Sequence, residues 1–162
     1  MSMQPELIQT LGTELFTALQ NCQTLEPLTN RHPDITIEDA YAIQQVLNGK
    51  RVAAGARVVG KKIGVTSKAV MNMLNVYQPD FGILLDNMIY NEGQSIERDS
   101  LIQPKAEGEV AFILKRDLQG PGISNADVLA ATECVMPCFE IVDSRIRDWK
   151  IKIQDTVADN AS

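Results

Sequence analysis

Residues 106–114 read Ala106-Glu107-Gly108-Glu109-Val110-Ala111-Phe112-Ile113-Leu114. A period of two puts Glu107, Glu109, Ala111 and Ile113 on one face and Gly108, Val110, Phe112 and Leu114 on the other, which is the pattern of a β-strand. Val110, Phe112 and Leu114 are expected to bury their face. A second strand is expected in Cys138-Phe139-Glu140-Ile141-Val142, directly after Pro137, largely buried and carrying one acid. Around this centre the chain alternates between helical and extended patterns, so the fold class is α+β in one unit.

Upstream, Leu7, Ile8, Leu11, Leu15, Ala18 and Leu19 recur at spacings of three and four, an amphipathic helix over residues 6–19. Pro27 and Pro33 bracket a loop. Thr36 with Asp39 resembles a capping box and opens a second helix that should end near Gly55. Residues 57–63 are rich in Val and predict a strand stopped by Gly64, and Thr66-Ser67 offers N-cap chemistry for a short helix through Leu74. Gln78-Pro79-Asp80-Phe81-Gly82 reads as a loop, and residues 83–85 and 88–90 as strand fragments around Asp86-Asn87. Downstream of the central strand, Gln119-Gly120-Pro121-Gly122 is a turn and residues 125–134 predict a helix. The division expected is a helical region over 1–56 and the first part of a β-rich fold over 57–162. The final stretch, Asp155-Thr156-Val157-Ala158-Asp159-Asn160-Ala161-Ser162, lacks the loose, charged composition usual at a terminus and reads as a fragment boundary.

The chain has 162 residues, with 15 Lys and Arg against 21 Asp and Glu, a formal charge of −6. An acidic surface argues against nucleic acid, whose phosphates demand a basic one, and against anionic membrane surfaces. No run approaches the roughly 18 apolar residues of a membrane span, and the first residues lack the order of a secretory signal, so a cytoplasmic location is expected. The cysteines Cys22, Cys134 and Cys138 cannot pair completely and show no zinc spacing; buried reduced thiols are expected. The single histidine, His32, lies in a polar loop and reads as solvated. A two-histidine metal site is impossible, so any metal must be held by carboxylates.

Glu107 and Glu109, two apart on a strand, have side chains roughly 7 Å apart at their bases and point the same way. They could be a solvent-facing acidic edge. Two features point elsewhere: Ala111 and Ile113 continue their face as apolar, and Glu140 interrupts an otherwise apolar strand, where a carboxylate is costly unless paired or metal-bound. Three carboxylates brought together would repel one another, and a divalent cation resolves the conflict. All-oxygen ligation suits Mg²⁺ or Mn²⁺. Lys61-Lys62 within Gly60-Lys61-Lys62-Ile63-Gly64 should point one lysine to each face. Gly64-Val65-Thr66-Ser67 leads into a helix start that could hold a carboxylate. Asp80 is either an ordinary turn residue or a loop general base.

Four stretches together, Gly60-Lys61-Lys62-Ile63-Gly64-Val65-Thr66-Ser67-Lys68, Gln78-Pro79-Asp80-Phe81-Gly82, Pro104-Lys105-Ala106-Glu107-Gly108-Glu109-Val110-Ala111-Phe112 and Cys138-Phe139-Glu140-Ile141-Val142-Asp143-Ser144-Arg145-Ile146, resemble the 2-keto-4-pentenoate (2-hydroxypenta-2,4-dienoate) hydratases of aromatic meta-cleavage pathways. These belong to the fumarylacetoacetate hydrolase superfamily. The resemblance implies N-terminal helices followed by a mixed β-sheet or roll of that type, incomplete here, because family members look roughly 100 residues longer, still within one domain. It also implies metal ligands at Glu107, Glu109 and Glu140, catalytic roles for Lys62, Asp80 and Lys61, and substrate contacts from Thr66, Ser67 and Ser162. The implied cofactor is Mg²⁺ or Mn²⁺ and the implied substrate a 2-oxo or 2-hydroxy dienoate, hydrated to 4-hydroxy-2-oxopentanoate. A homo-oligomer is implied, with association in some relatives with the pathway decarboxylase or aldolase. The sister 2-oxo-3-hexenedioate (4-oxalocrotonate) decarboxylase is the alternative, and an inactive fragment or structural partner subunit a second.

Overall fold

The computed structural model describes residues 3–162, apart from the side chains of Val70, Met73 and Leu74. Helix α1 spans Pro5–Gln20, α2 is one turn at Leu28–Arg31, and α3 spans Ile37–Ala53. Strand β1 (Val58–Gly64), helix α4 (Lys68–Leu74) and strand β2 (Asp80–Leu85) follow, then β3 (Lys105–Leu114), α5 (Asn125–Ala131), β4 (Thr132–Val142) and α6 (Ile153–Ala158). Among the described residues no helix is long and apolar enough to cross a membrane. The chain forms two compact units: residues up to Gln103 together with Asp143–Ser162, and Pro104–Val142.

In the first unit the apolar face of α1 packs on α3, and Leu11, Leu15, Leu28, Ile43, Leu47 and Ile146 are almost fully buried. Each such side chain contributes about 1.5–3 kcal/mol relative to exposure. The expected capping box is present at the start of α3: Thr36 Oγ1 accepts from Asp39 N at 3.1 Å and Asp39 Oδ2 accepts from Thr36 N at 3.2 Å. Asp155 of α6 accepts from Thr29 N at 3.0 Å and Thr29 Oγ1 at 2.7 Å, which satisfies the start of α2. A parallel bridge joins Leu25 to Ile146. Strands β1 and β2 form an antiparallel hairpin in which Lys62 faces Gly82 and Gly64 faces Asp80.

The second unit is built on the antiparallel ribbon β3–β4, with Glu107 opposite Glu140, Glu109 opposite Cys138 and Val110 opposite Pro137. Helix α5 closes the connection, capped by Ser124 and Asp127.

Several expectations need correction. Strand β2 begins at Asp80, so the loop expected over 78–82 is loop only to Pro79. Residues 88–90 form no strand: Asp86–Met88 is a single 3-10 turn. The Asp86 carboxylate accepts from Arg57 N and Asn87 N, and this local bonding turns the chain. The helix expected to run to Cys134 stops at Ala131, because β-branched Thr132 starts the pairing with Leu114. Strand β4 therefore runs straight through Pro137, tolerated because a two-stranded ribbon leaves each strand an open edge. The expected burial of both strands is not seen among the described residues: Val110, Phe112 and Phe139 are 59%, 54% and 79% exposed. Cys134 and Cys138 are exposed as well, Cys22 is half-buried, and all three are free thiols. His32 ends α2 and is half-buried rather than fully solvated.

Candidate functional site

Each candidate group is placed by backbone register. Glu107 and Glu109 share a face of β3 by alternation, and Glu140 joins them because it sits directly across the ladder from Glu107. One carboxylate oxygen from each lies within 4.8 Å of the other two. Ionised carboxylates brought this close repel one another, and a shared cation offsets that repulsion. Oxygens that bind neighbouring positions of one Mg²⁺ lie about 3 Å apart, so modest rotamer adjustment brings three acids of this spacing onto one ion. Glu109 and Glu140 are half-buried and Glu107 is exposed. The donor set is all-oxygen, hard and anionic, and it fits a small divalent cation better than any soft metal.

The hairpin of the first unit carries the second group. Lys62 is half-buried while Lys61 is exposed, as alternation requires. Lys62, Gly64, Gly82 and Asp80 occupy one face, with Lys62 and Asp80 diagonal to each other. The two glycines are what make this possible. A methyl at Gly64 would collide with the Asp80 carboxylate, and one at Gly82 would meet Lys62 Cγ at 2.8 Å. Asp80 is 3% exposed. Val65 follows at φ 55°, a left-handed conformation that a β-branched residue adopts only under strain, and it leads to Thr66 and Ser67, both exposed. Tyr41 of α3 accepts from Phe81 N at 3.2 Å, and burial, together with the nearby Asp80, raises its hydroxyl above the ordinary tyrosine range.

Ser162 is tied to a buried ion pair. Arg145 Nη2 donates to Ser162 Oγ at 3.3 Å, while Arg145 Nε donates to Asp159 Oδ1 at 2.6 Å and Arg145 N to Asp159 Oδ2 at 2.8 Å. Arg145 also donates to the carbonyl oxygens of Asp143 and Asp159. Burial pushes the Asp159 carboxyl up, against the opposing pull of the guanidinium. Asn160 and Ala161 both take left-handed backbone, φ 66° and 61°. The sequence reading missed Arg145, Asp159, Asn160 and the polar residues Tyr41, Gln44 and Asn48 on α3. For the three residues on α3 the available signal was their helical spacing of three and four on a face otherwise given to core.

No family profile matches the chain. Among solved structures, it superposes on the 4-oxalocrotonate decarboxylase from Pseudomonas putida G7 complexed with magnesium and adipate. The TM-score is 0.93 and the identity 35%, over 99% of this chain and 61% of that one. The calcium and acetate complex of the same enzyme gives 0.91 and 34%. The fold is thus that of the decarboxylase-type members of the fumarylacetoacetate hydrolase superfamily. Among curated proteins, the chain is 65% identical over 161 residues to the 2-hydroxypent-2,4-dienoate hydratase of Pseudomonas putida, and 63% identical over 159 residues to the 2-hydroxyhexa-2,4-dienoate hydratase of Comamonas testosteroni. It is 44% identical over 160 residues to the 2-keto-4-pentenoate hydratase of Paraburkholderia xenovorans. The chain belongs to this hydratase family. It spans 72% of the first of these relatives and 60% of each of the other two.

Proposed function

We propose that the chain carries the metal-binding and proton-transfer residues of a hydro-lyase that hydrates 2-hydroxypenta-2,4-dienoate to 4-hydroxy-2-oxopentanoate. The single observation that supports this most is the convergence of Glu107, Glu109 and Glu140 on one face of the ribbon. These three residues would hold Mg²⁺ or Mn²⁺, which when bound supplies Lewis acidity to the carboxylate and 2-oxygen of the substrate. Lys62 and Asp80 are the groups assigned to proton transfer. Ketonisation moves the substrate's hydroxyl proton to C5, and water then adds its hydroxyl to C4 and a proton to C3. Lys62, cationic on a half-buried face, is suited to stabilise enolate charge, and Asp80, held against Gly64, to accept or deliver the proton. Exposed Lys61 contributes positive charge at the hairpin surface, Thr66 and Ser67 offer hydroxyls, and Ser162, oriented by Arg145, offers a third. We further propose a cytoplasmic homo-oligomer and a division between the helical residues 1–56 and the β-rich residues 57–162.

Glu107→Gln tests the reading. The chain supplied with Mg²⁺ is expected to hydrate the dienoate, and the variant to lose on the order of a hundredfold or more in kcat/KM, since even groups that only support metal ligands cost 10–100-fold when removed. Calorimetry should show Mn²⁺ binding to the chain and its weakening in the variant. Full activity in Glu107→Gln would overturn the site.

The likeness to the decarboxylase structures supports a second reading, loss of CO₂ from 4-oxalocrotonate with the same three acids. The higher identity to the hydratases favours hydration. Release of CO₂ from 4-oxalocrotonate, without hydration of the pentadienoate, would reverse that preference.

A further inference from the structure

The outer edge of β2 is occupied by side chains instead of a strand. Phe81 N donates to Tyr41 Oη, and Phe81 O accepts from Gln44 Nε2 at 2.8 Å. Two residues on, Ile83 N donates to Asn160 Oδ1 at 2.9 Å and Ile83 O accepts from Asn160 Nδ2 at 3.0 Å. A single carboxamide thus replaces a full ladder pair, and since an N–H can only donate and a C=O only accept, its orientation is fixed. Asn48 Nδ2 donates to the same Oδ1 at 2.8 Å.

The backbone of Asn160 meets the same strand at Gly82. Asn160 has a left-handed φ of 66°, which asparagine tolerates better than most residues, and its carbonyl oxygen lies against Gly82. A Cβ built at Gly82 would collide with Asn160 O and would lie 2.8 and 3.0 Å from Lys62 Cγ and Cδ. The Asn160 carbonyl and the Lys62 stem therefore share the space above one glycine. Gly82 is also the cross-strand partner of Lys62.

We propose that Asn160 is a positioning residue for Lys62, fixing the edge of β2 through its carboxamide and confining the lysine stem through its carbonyl above Gly82. The inference rests on the reading of Lys62 as a proton-transfer group. Asn160 is 2% exposed and acts through Lys62 without meeting the substrate. The chemistry is particular to asparagine: aspartate would set an oxygen against Ile83 O, and alanine would lose all three side-chain hydrogen bonds.

The test uses the full chain with its lysines reductively ¹³C-methylated, the Lys62 resonance being assigned by its loss in Lys62→Arg. In wild type the Lys62 signal is expected to stand apart from those of exposed lysines. In Asn160→Ala it should move to join them, while that of Lys61 stays in place. On unmethylated protein, kcat should fall at least tenfold in Asn160→Ala and Asn160→Asp with KM changed less than twofold. An unchanged Lys62 resonance, or a wild-type kcat in Asn160→Ala, overturns the proposal. If Asn160→Ala does not fold, Gly82→Ala inserts a methyl between the carbonyl and the stem, and an unmoved Lys62 signal there overturns it equally. If wild type hydrates no dienoate, the proposed function fails by itself, and the resonance shift still decides whether Asn160 positions Lys62.

Discussion

At the scale of single residues, the chemistry depends on where small and charged side chains permit close approach. Gly64 and Gly82 are needed because their partners, Asp80 and Lys62, fold across the opposing strand. The Arg145–Asp159 pair behaves differently: it is a buried ion pair satisfied on nearly every side. Removing one partner of such a pair strands the other charge, so Arg145→Met is expected to destabilise the chain by roughly 3–5 kcal/mol. Arg145→Met combined with Asp159→Leu should recover most of that loss, because no charge is then left buried. Urea unfolding of wild type and both variants measures this. The glutamates were legible in the sequence, because alternation alone aligns Glu107 with Glu109 and an acid inside an apolar strand draws notice. Asn160 was not, since its partners Asn48 and Ile83 stand 112 and 77 residues away in the chain.

Among the elements, α3 shows how a locally encoded feature gains a tertiary role. Its capping box was written in Thr36 and Asp39, but Asp39 Oδ1 also accepts from Met3 N at 2.9 Å, which fastens the chain ahead of α1 to the start of α3. Burial pushes the Asp39 carboxyl up, yet the hydrogen bonds from Met3 and Thr36 outweigh it and leave it below its ordinary value. A carboxylate with a lowered pKa contributes its stability in full above the unfolded value near 4 and loses it as pH falls through the folded value. Asp39→Asn should therefore cost about 1.5–3 kcal/mol at pH 7, the scale of hydrogen bonds to charged groups. The gap to wild type should narrow as the pH is lowered from 4 toward 2, as followed by urea midpoints. Strand β4 is the opposite case: local propensity extended α5 to Cys134, and pairing with β3 overrode it three residues earlier.

Over the whole molecule, the two units differ in what holds them. The first has a core of leucines and isoleucines with almost no exposure, while the ribbon of the second leaves large apolar side chains such as Phe112 and Phe139 open. Hydrogen exchange should accordingly be slower in α1 and α3 than in β3 and β4. Added Mn²⁺ should slow exchange around Glu107, Glu109 and Glu140 in wild type and leave it unchanged in Glu107→Gln; a uniform rate across the chain would contradict the difference in burial. The sequence by itself determined what depends on neighbours along the chain: the α+β class, the helices α1 and α3 with their apolar stripes, the capping box, and the strand alternation that aligns two acids. Tertiary structure alone decided what depends on distant partners. Cross-strand register brought Glu140 opposite Glu107, the edge of β2 was satisfied by Tyr41, Gln44 and Asn160, and ribbon side chains such as Phe112 and Phe139 stayed exposed. Periodicity records which side of an element is apolar, but not which element, if any, will meet that side.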